Sequence, residues 1–153
     1  MNNLKLSALS VALTLAFCGA ASAADMSKEQ YKAAKTDISG KYKAERAACD
    51  PMAANAKDVC VAEAKGHEKV ARAELEAGYK PSVKATYNVG MATAKATYAV
   101  AREKCDDKAG NDKDVCVKQA KAAEVAAKDE AKAGRKTSDA SKASQTTAAR
   151  QGK

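Results

Sequence analysis

The sequence holds no tryptophan and a single phenylalanine, Phe17, in 153 residues. Beyond residue 23 it has one leucine, Leu75, and one isoleucine, Ile38. A chain so poor in large apolar side chains cannot bury a thick core, and depletion of this kind is common in disordered sequences. Proline is nearly missing too, with Pro51 and Pro81 the two examples, so long helices meet few interruptions. His67 is the single histidine. It lies two helical turns, about 10 Å, beyond Cys60, too far for the two to share one ion. The tight C-x2–4-C spacing of zinc sites and the C-x-x-C redox motif do not occur. Neither a nucleophile elbow nor a glycine-rich phosphate loop is present. The expectation is a protein that is not an enzyme and has no cofactor, no metal site and no catalytic residues.

What is present favours helix. About a quarter of the residues after position 23 are alanine, and lysine and glutamate fill much of the rest. These are among the strongest helix formers. Helices should form readily here and pack thinly.

The N-terminus reads as an export signal. Lys5 is the one charge, Leu6 to Ala20 form an apolar run, and Ala21-Ser22-Ala23 gives the small-x-small pattern cleaved by signal peptidase. Residues 1–23 are therefore expected to be a cleaved signal peptide, cut between Ala23 and Ala24. The run is short for a membrane span. Cys18 offers a lipoprotein alternative, but Phe17 precedes it where a small residue belongs. Export puts the mature chain in the periplasm, an oxidising compartment.

The whole chain has a net charge of +8. Residues 135–153 carry five bases (Arg135, Lys136, Lys142, Arg150 and Lys153) against Asp139. This segment is rich in Ser, Thr and Ala and lacks aromatics, so a disordered basic tail is expected, as is disorder in residues 24–26. With the basic excess largely in the tail and export predicted, a nucleic-acid partner is not expected.

A shift of 56 residues lays the chain on itself. Residues 31–80 fall on 87–136 without a gap, and 20 of the 50 positions are identical. The densest match sets Lys57-Asp58-Val59-Cys60-Val61 on Lys113-Asp114-Val115-Cys116-Val117. Duplication of one unit explains this. The implied organisation is a helical hairpin at 24–80, a second at 81–134, and the tail at 135–153.

Each copy reads as helix, loop, helix. The first helix should run from Ser27 to Ala48, with Ser27 and Gln30 forming a capping box. Tyr31, Ile38, Tyr42 and Cys49 share one face of it. Asn55 and Asn111 stand where the second helix of each copy wants an N-cap, and Gly78 and Gly134 where it should stop. A stripe of small residues, Cys60, Ala64, Ala71 and Gly78, recurs at Cys116, Ala120, Ala127 and Gly134 and is the expected packing seam. The ladder Glu68, Arg72, Glu76 and Lys80 reads as a solvated face.

Both copies carry C-x10-C across the loop. In an oxidising compartment an even cysteine count favours disulfides. Local pairing, Cys49–Cys60 and Cys105–Cys116, lets each copy close by itself. The expected fold is all-α: two tandem disulfide-stapled hairpins in an up-down-up-down four-helix arrangement, or loosely strung hairpins if the seam is too thin to close.

The segment Asn55-Ala56-Lys57-Asp58-Val59-Cys60-Val61-Ala62-Glu63-Ala64-Lys65, with its second copy, resembles a pattern in small exported Ala/Lys-rich repeat proteins of proteobacteria. Such chains are sometimes labelled TolA-like cell-envelope proteins. The resemblance implies an exported compartment and helicity. Together these readings lead to a non-catalytic periplasmic structural or interaction protein in cell-envelope maintenance or stress, with another envelope protein as partner. One alternative is a binder of anionic membrane or envelope polymer through the basic tail. A second is a metal-sequestering protein using reduced cysteines. Oligomeric state is left open.

Overall fold

The computed structural model describes residues 26–151. The expected signal peptide, its cleavage site at Ala23 and Ala24, and Cys18 lie outside the described residues. Four helices follow in order: α1 (Lys28–Ala48), α2 (Ala54–Tyr79), α3 (Val83–Cys105) and α4 (Gly110–Gln151). No strand occurs among the described residues. Both local disulfides are formed, Cys49–Cys60 joining α1 to α2 and Cys105–Cys116 joining α3 to α4, each with Cα atoms 5.7 Å apart.

The start of α1 follows its local chemistry. The Ser27 hydroxyl accepts from the Gln30 amide at 3.2 Å, while Gln30 Oε1 accepts from the Ser27 amide at 2.8 Å. Both halves of the capping box are therefore made, each satisfying an otherwise free donor. Ser82 caps α3 in the same manner, accepting from the Ala85 amide at 3.0 Å.

Three local expectations are corrected. Asn55 does not cap α2: the N-cap is Ala53, without a side-chain hydrogen bond. Asn55 instead donates its side-chain amide to the Glu103 carbonyl of α3 at 2.8 Å, and Asn111 lies exposed in the first turn of α4. The Glu103 carbonyl, which also accepts from the Asp106 amide, has a second lone pair for the Asn55 amide group. Second, α2 runs through Gly78 to Tyr79 and α4 runs through Gly134 to Gln151. Neither glycine adopts a left-handed conformation; among the described residues the positive-φ ones are Ala54 and Gly110.

Third, residues 135–151 are helix, not a disordered tail. One interior glycine weakens a helix by only about 1 kcal/mol relative to alanine. No proline follows Gly134 as Pro81 follows Gly78, and Ala, Lys, Arg and Gln carry the helix on. Its hydroxyls fold back on their own turn: Ser141, Ser144, Thr146 and Thr147 each donate to the carbonyl four residues earlier. This extension is exposed from Arg135 to Arg150.

Packing is serial. α1 contacts α2, α2 contacts α3, and α3 contacts α4; no other pair of helices touches. The up-down-up-down order is present, but the row does not close into a bundle, and α1 and α4 form its edges. Nor are the hairpins loosely strung, because the α2/α3 interface between them is the most extensive of the three. A closed bundle needs large side chains directed at a common centre. Here the buried apolar residues are Cys49, Ala64, Leu75, Ala94 and Cys105. Leu75 apart, side chains this small seal helix pairs and cannot fill a middle.

Close approach compensates for size. A Cβ placed on Gly66 of α2 would lie 3.1 Å from the Ala96 Cβ of α3, and one on Gly90 of α3 would lie 2.9 Å from the Ala131 Cβ of α4. Both glycines therefore let two backbones meet where a methyl group would hold them apart. The expected seam is present only in part. Ala64 is buried and Ala71, Ala120 and Ala127 are half-buried, while Gly78 and Gly134 are exposed.

Candidate binding groove

The open row leaves a groove of about 940 Å³ floored by α3 and walled by α4, with Glu74 and Ala77 of α2 also lining it. Its surface is made mostly of small side chains. Gly90, Ala94 and Ala101 come from α3 and Ala120, Ala127 and Ala131 from α4. Thr86, Thr93 and Thr97 add hydroxyls along the floor. Small residues at helical spacing let a further backbone come close, which is how the helices of this protein meet one another.

Two tyrosines of α3 mark the groove. Lys121 places its ammonium 5.0 Å from the centre of the Tyr98 ring, and the Arg135 guanidinium lies 5.4 Å from the centre of the Tyr87 ring. A cation over a ring face is attracted by its quadrupole. In the first copy the residues equivalent to Tyr87 and Arg135 are Tyr31 and Tyr79. These stack with ring centres 4.3 Å apart. Arg135, expected to open the tail, is thus tied to the body of the second hairpin.

Among the described residues Glu124 is the one buried charged residue, 6% exposed. Lys121 and Lys128 reach it at 2.7 and 2.5 Å. Their hydrogen bonds, Lys121's first, hold its carboxyl below the ordinary range, and Glu124 in turn raises Lys121. Its counterpart in the first copy is Glu68, which binds Arg72 at 2.8 Å. Arg72 also donates to the Ser39 hydroxyl of α1 at 2.9 Å, and the Tyr31 hydroxyl donates to Glu76. The ladder expected to be merely solvated therefore ties α1 to α2.

The four sequence-expected disulfide residues come together in their pairs at one end of the row. Cys49 and Cys105 are fully buried. An ion pair braces each stapled loop at equivalent positions, Asp50 with Lys57 at 3.6 Å and Asp106 with Lys113 at 2.8 Å. The Lys113 hydrogen bond holds the Asp106 carboxyl below its ordinary range. With their sulfurs bonded to one another, these cysteines have no thiolate to offer a soft metal. The sequestration reading has no ligands in this oxidised form. Among the described residues no group of three His, Cys, Asp or Glu side chains is placed to hold an ion. His67 stands apart, exposed, with Nδ1 3.0 Å from Glu45 of α1.

Sequence reasoning missed the groove, because it is a gap between helices whose relative register no local pattern encodes. Gly90 was its one legible signal: an interior glycine in a helix otherwise built of better formers. Comparisons with known protein families, with curated proteins and with solved structures find no match. No described helix is long and apolar enough to cross a membrane.

Proposed function

We propose that this is an exported, non-catalytic interaction protein of the cell envelope whose α3/α4 groove receives a partner helix. The observation that carries the reading is the unclosed row. A four-helix chain that leaves an Ala/Gly/Thr-lined channel on α3 presents a ready-made seat for a further helix. The seat selects an amphipathic helix with a small or β-branched apolar stripe. Glu74 and Glu130 line the groove alongside Arg135, so bases flanking that stripe on the partner suit the acidic positions. The two disulfides support an oxidising compartment, since such bonds persist there and are rare in the cytosol.

Site-specific photo-crosslinking in cells tests this. A photoreactive residue at Thr93, exposed in the groove, should give a discrete adduct that maps to a helical segment of an envelope protein. The same residue at Lys95, on the opposite side of α3, should not. Ala127→Glu should remove the Thr93 adduct. Equal labelling from both positions, or an adduct indifferent to Ala127→Glu, sinks the reading.

A further inference from the structure

Most bases of this protein fall on one side of the helix row, Lys41 of α1 and Lys104 of α3, which pairs with Glu63, being exceptions. At about 100° per residue, every lysine and arginine of α4 from Lys113 to Arg150 falls within an arc of about 140°. Lys84, Lys95 and Arg102 of α3 are spaced 11 and 7 residues apart, which aligns them within about 20°. Lys28, Lys32, Lys35 and Arg46 occupy the corresponding side of α1.

Tertiary contacts place these arcs together. Lys65 and Lys69 of α2 and Lys95 of α3 line a second groove, of about 670 Å³. The α3 residues along it (Asn88, Met91, Ala92, Lys95, Ala96, Ala99 and Glu103) are all different from those that floor the first groove, so the two open on opposite faces of the row. Arg72 reaches Ser39 of α1, the position equivalent to Lys95, which brings the α1 arc to this side. Lys121 and Arg135 over Tyr98 and Tyr87 bring the α4 arc beside α3. Glu68, Glu124 and Asp139 are held by Arg72, by Lys121 with Lys128 and by Arg135, while Asp58 and Glu103 line the second groove beside its three lysines without an ion pair. Among the described residues Lys65, Lys69, Lys95, Lys118, Lys136 and Lys142 make no ion pair.

We infer that this basic face, opposite the α3/α4 groove, docks the protein on an anionic phospholipid surface. The bases extend in two dimensions. They span four helices spaced about 8–10 Å apart, and along α4 they run for about 55 Å. A linear polyanion needs a single track, whereas a field of headgroup phosphates engages the whole area. Tyr31, Tyr79, Tyr98 and Tyr87 are each covered by a cation, Lys35, Lys80, Lys121 and Arg135 in turn, and Tyr87 and Tyr98 belong to the first groove. They are not open platforms for stacking nucleobases. Recognition is by charge, without insertion of apolar side chains, and is therefore reversible and weakened by salt. Arg135 belongs to both faces, but Lys65, Lys69 and Lys95 lie outside the first groove, so this inference can fail separately from the helix-binding reading.

Vesicle co-sedimentation of the full, disulfide-bonded protein tests it. Phosphatidylcholine vesicles containing phosphatidylglycerol should bind the protein, and phosphatidylcholine alone should not. Each exposed base near an anionic surface is worth about five-fold in binding. The triple substitution Lys65→Gln, Lys69→Gln, Lys95→Gln should therefore cost about 100-fold, with circular dichroism and melting unchanged. Lys41→Gln, on the groove side of α1, should leave binding as it was. Equal binding to both vesicle types overturns the inference, as does a triple variant that binds like the parent. Tighter binding to single-stranded DNA than to phosphatidylglycerol vesicles at the same salt also overturns it and assigns the face to nucleic acid.

Discussion

Ala54 and Gly110 occupy one position of the repeated unit, 56 residues apart, and both hold the left-handed backbone, with φ of 48° and 52°. Each opens the second helix of its hairpin just after the stapled loop. Glycine adopts this conformation freely, while alanine crowds its Cβ against the following carbonyl at a cost of about 1–2 kcal/mol. The second copy has the residue that the turn wants; the first copy carries strain.

Exchanging the two residues should therefore have opposite effects. Ala54→Gly is expected to raise the unfolding free energy by about 1 kcal/mol and Gly110→Ala to lower it by about 1–2 kcal/mol. Urea melts of the oxidised protein measure both. Changes of the same sign for the two would show that the loops do not share a backbone.

Removing one staple should be costly for so thin a core. Replacing Cys105 and Cys116 together by alanine opens a loop closed by residues 11 apart in sequence. The expected loss is about 3 kcal/mol. The same double change at Cys49 and Cys60 should give a similar figure. A free-thiol count of the parent protein, before and after reductant, checks that both bonds are present at the start.

Glycines separate packing from propensity. Gly90→Ala puts its methyl group 2.9 Å from the Ala131 Cβ, so α3 and α4 must move apart and stability should fall. Gly40 and Gly134 have nothing within 4 Å. Alanine at either should stabilise by about 0.5–1 kcal/mol. Thermal melts that rank all three substitutions alike would contradict the close α3/α4 approach.

Stability should fall at both ends of the pH scale. Asp106 and Glu124 are held below their usual 3.8 and 4.5 by Lys113 and by Lys121 with Lys128. A depressed carboxyl contributes stability above its unfolded value, and that contribution is lost as pH falls through the folded one. Tyr31 is raised above its usual 10.0 by its hydrogen bond to Glu76, and Lys121 above 10.5 by Glu124. Their contributions are full below those usual values and disappear as pH rises through the folded ones. Asp106→Asn should flatten the acid limb of a melting-temperature profile, and Tyr31→Phe the alkaline limb. An acid limb unchanged by Asp106→Asn would remove the loop ion pair from the account.

The sequence by itself determined the helical class, the capping box at Ser27, the hairpin as repeated unit and the pairing of each cysteine across its own loop. All of these are local. They depend on intrinsic propensity, on residues within a few positions of one another, and on a loop short enough that its two ends must meet. The sorting of bases along α4 is also written in the sequence, but its meaning depends on where the neighbouring helices lie.

Only the tertiary structure decided how the helices stand against one another. Local pattern makes Asn55 a cap, yet the Glu103 carbonyl of α3 takes its side-chain amide. Gly134 was read as a stop, yet Arg135 beyond it settles over Tyr87 of α3. The open row follows from the same cause. Ala64, Ala94 and two cystines seal pairs of helices closely but have too little volume to draw α1 and α4 together. Register and closure depend on which small surfaces meet across the chain, and near-identical alanine stripes leave that choice to the few positions, such as Gly66 against Ala96 and Gly90 against Ala131, where backbones touch.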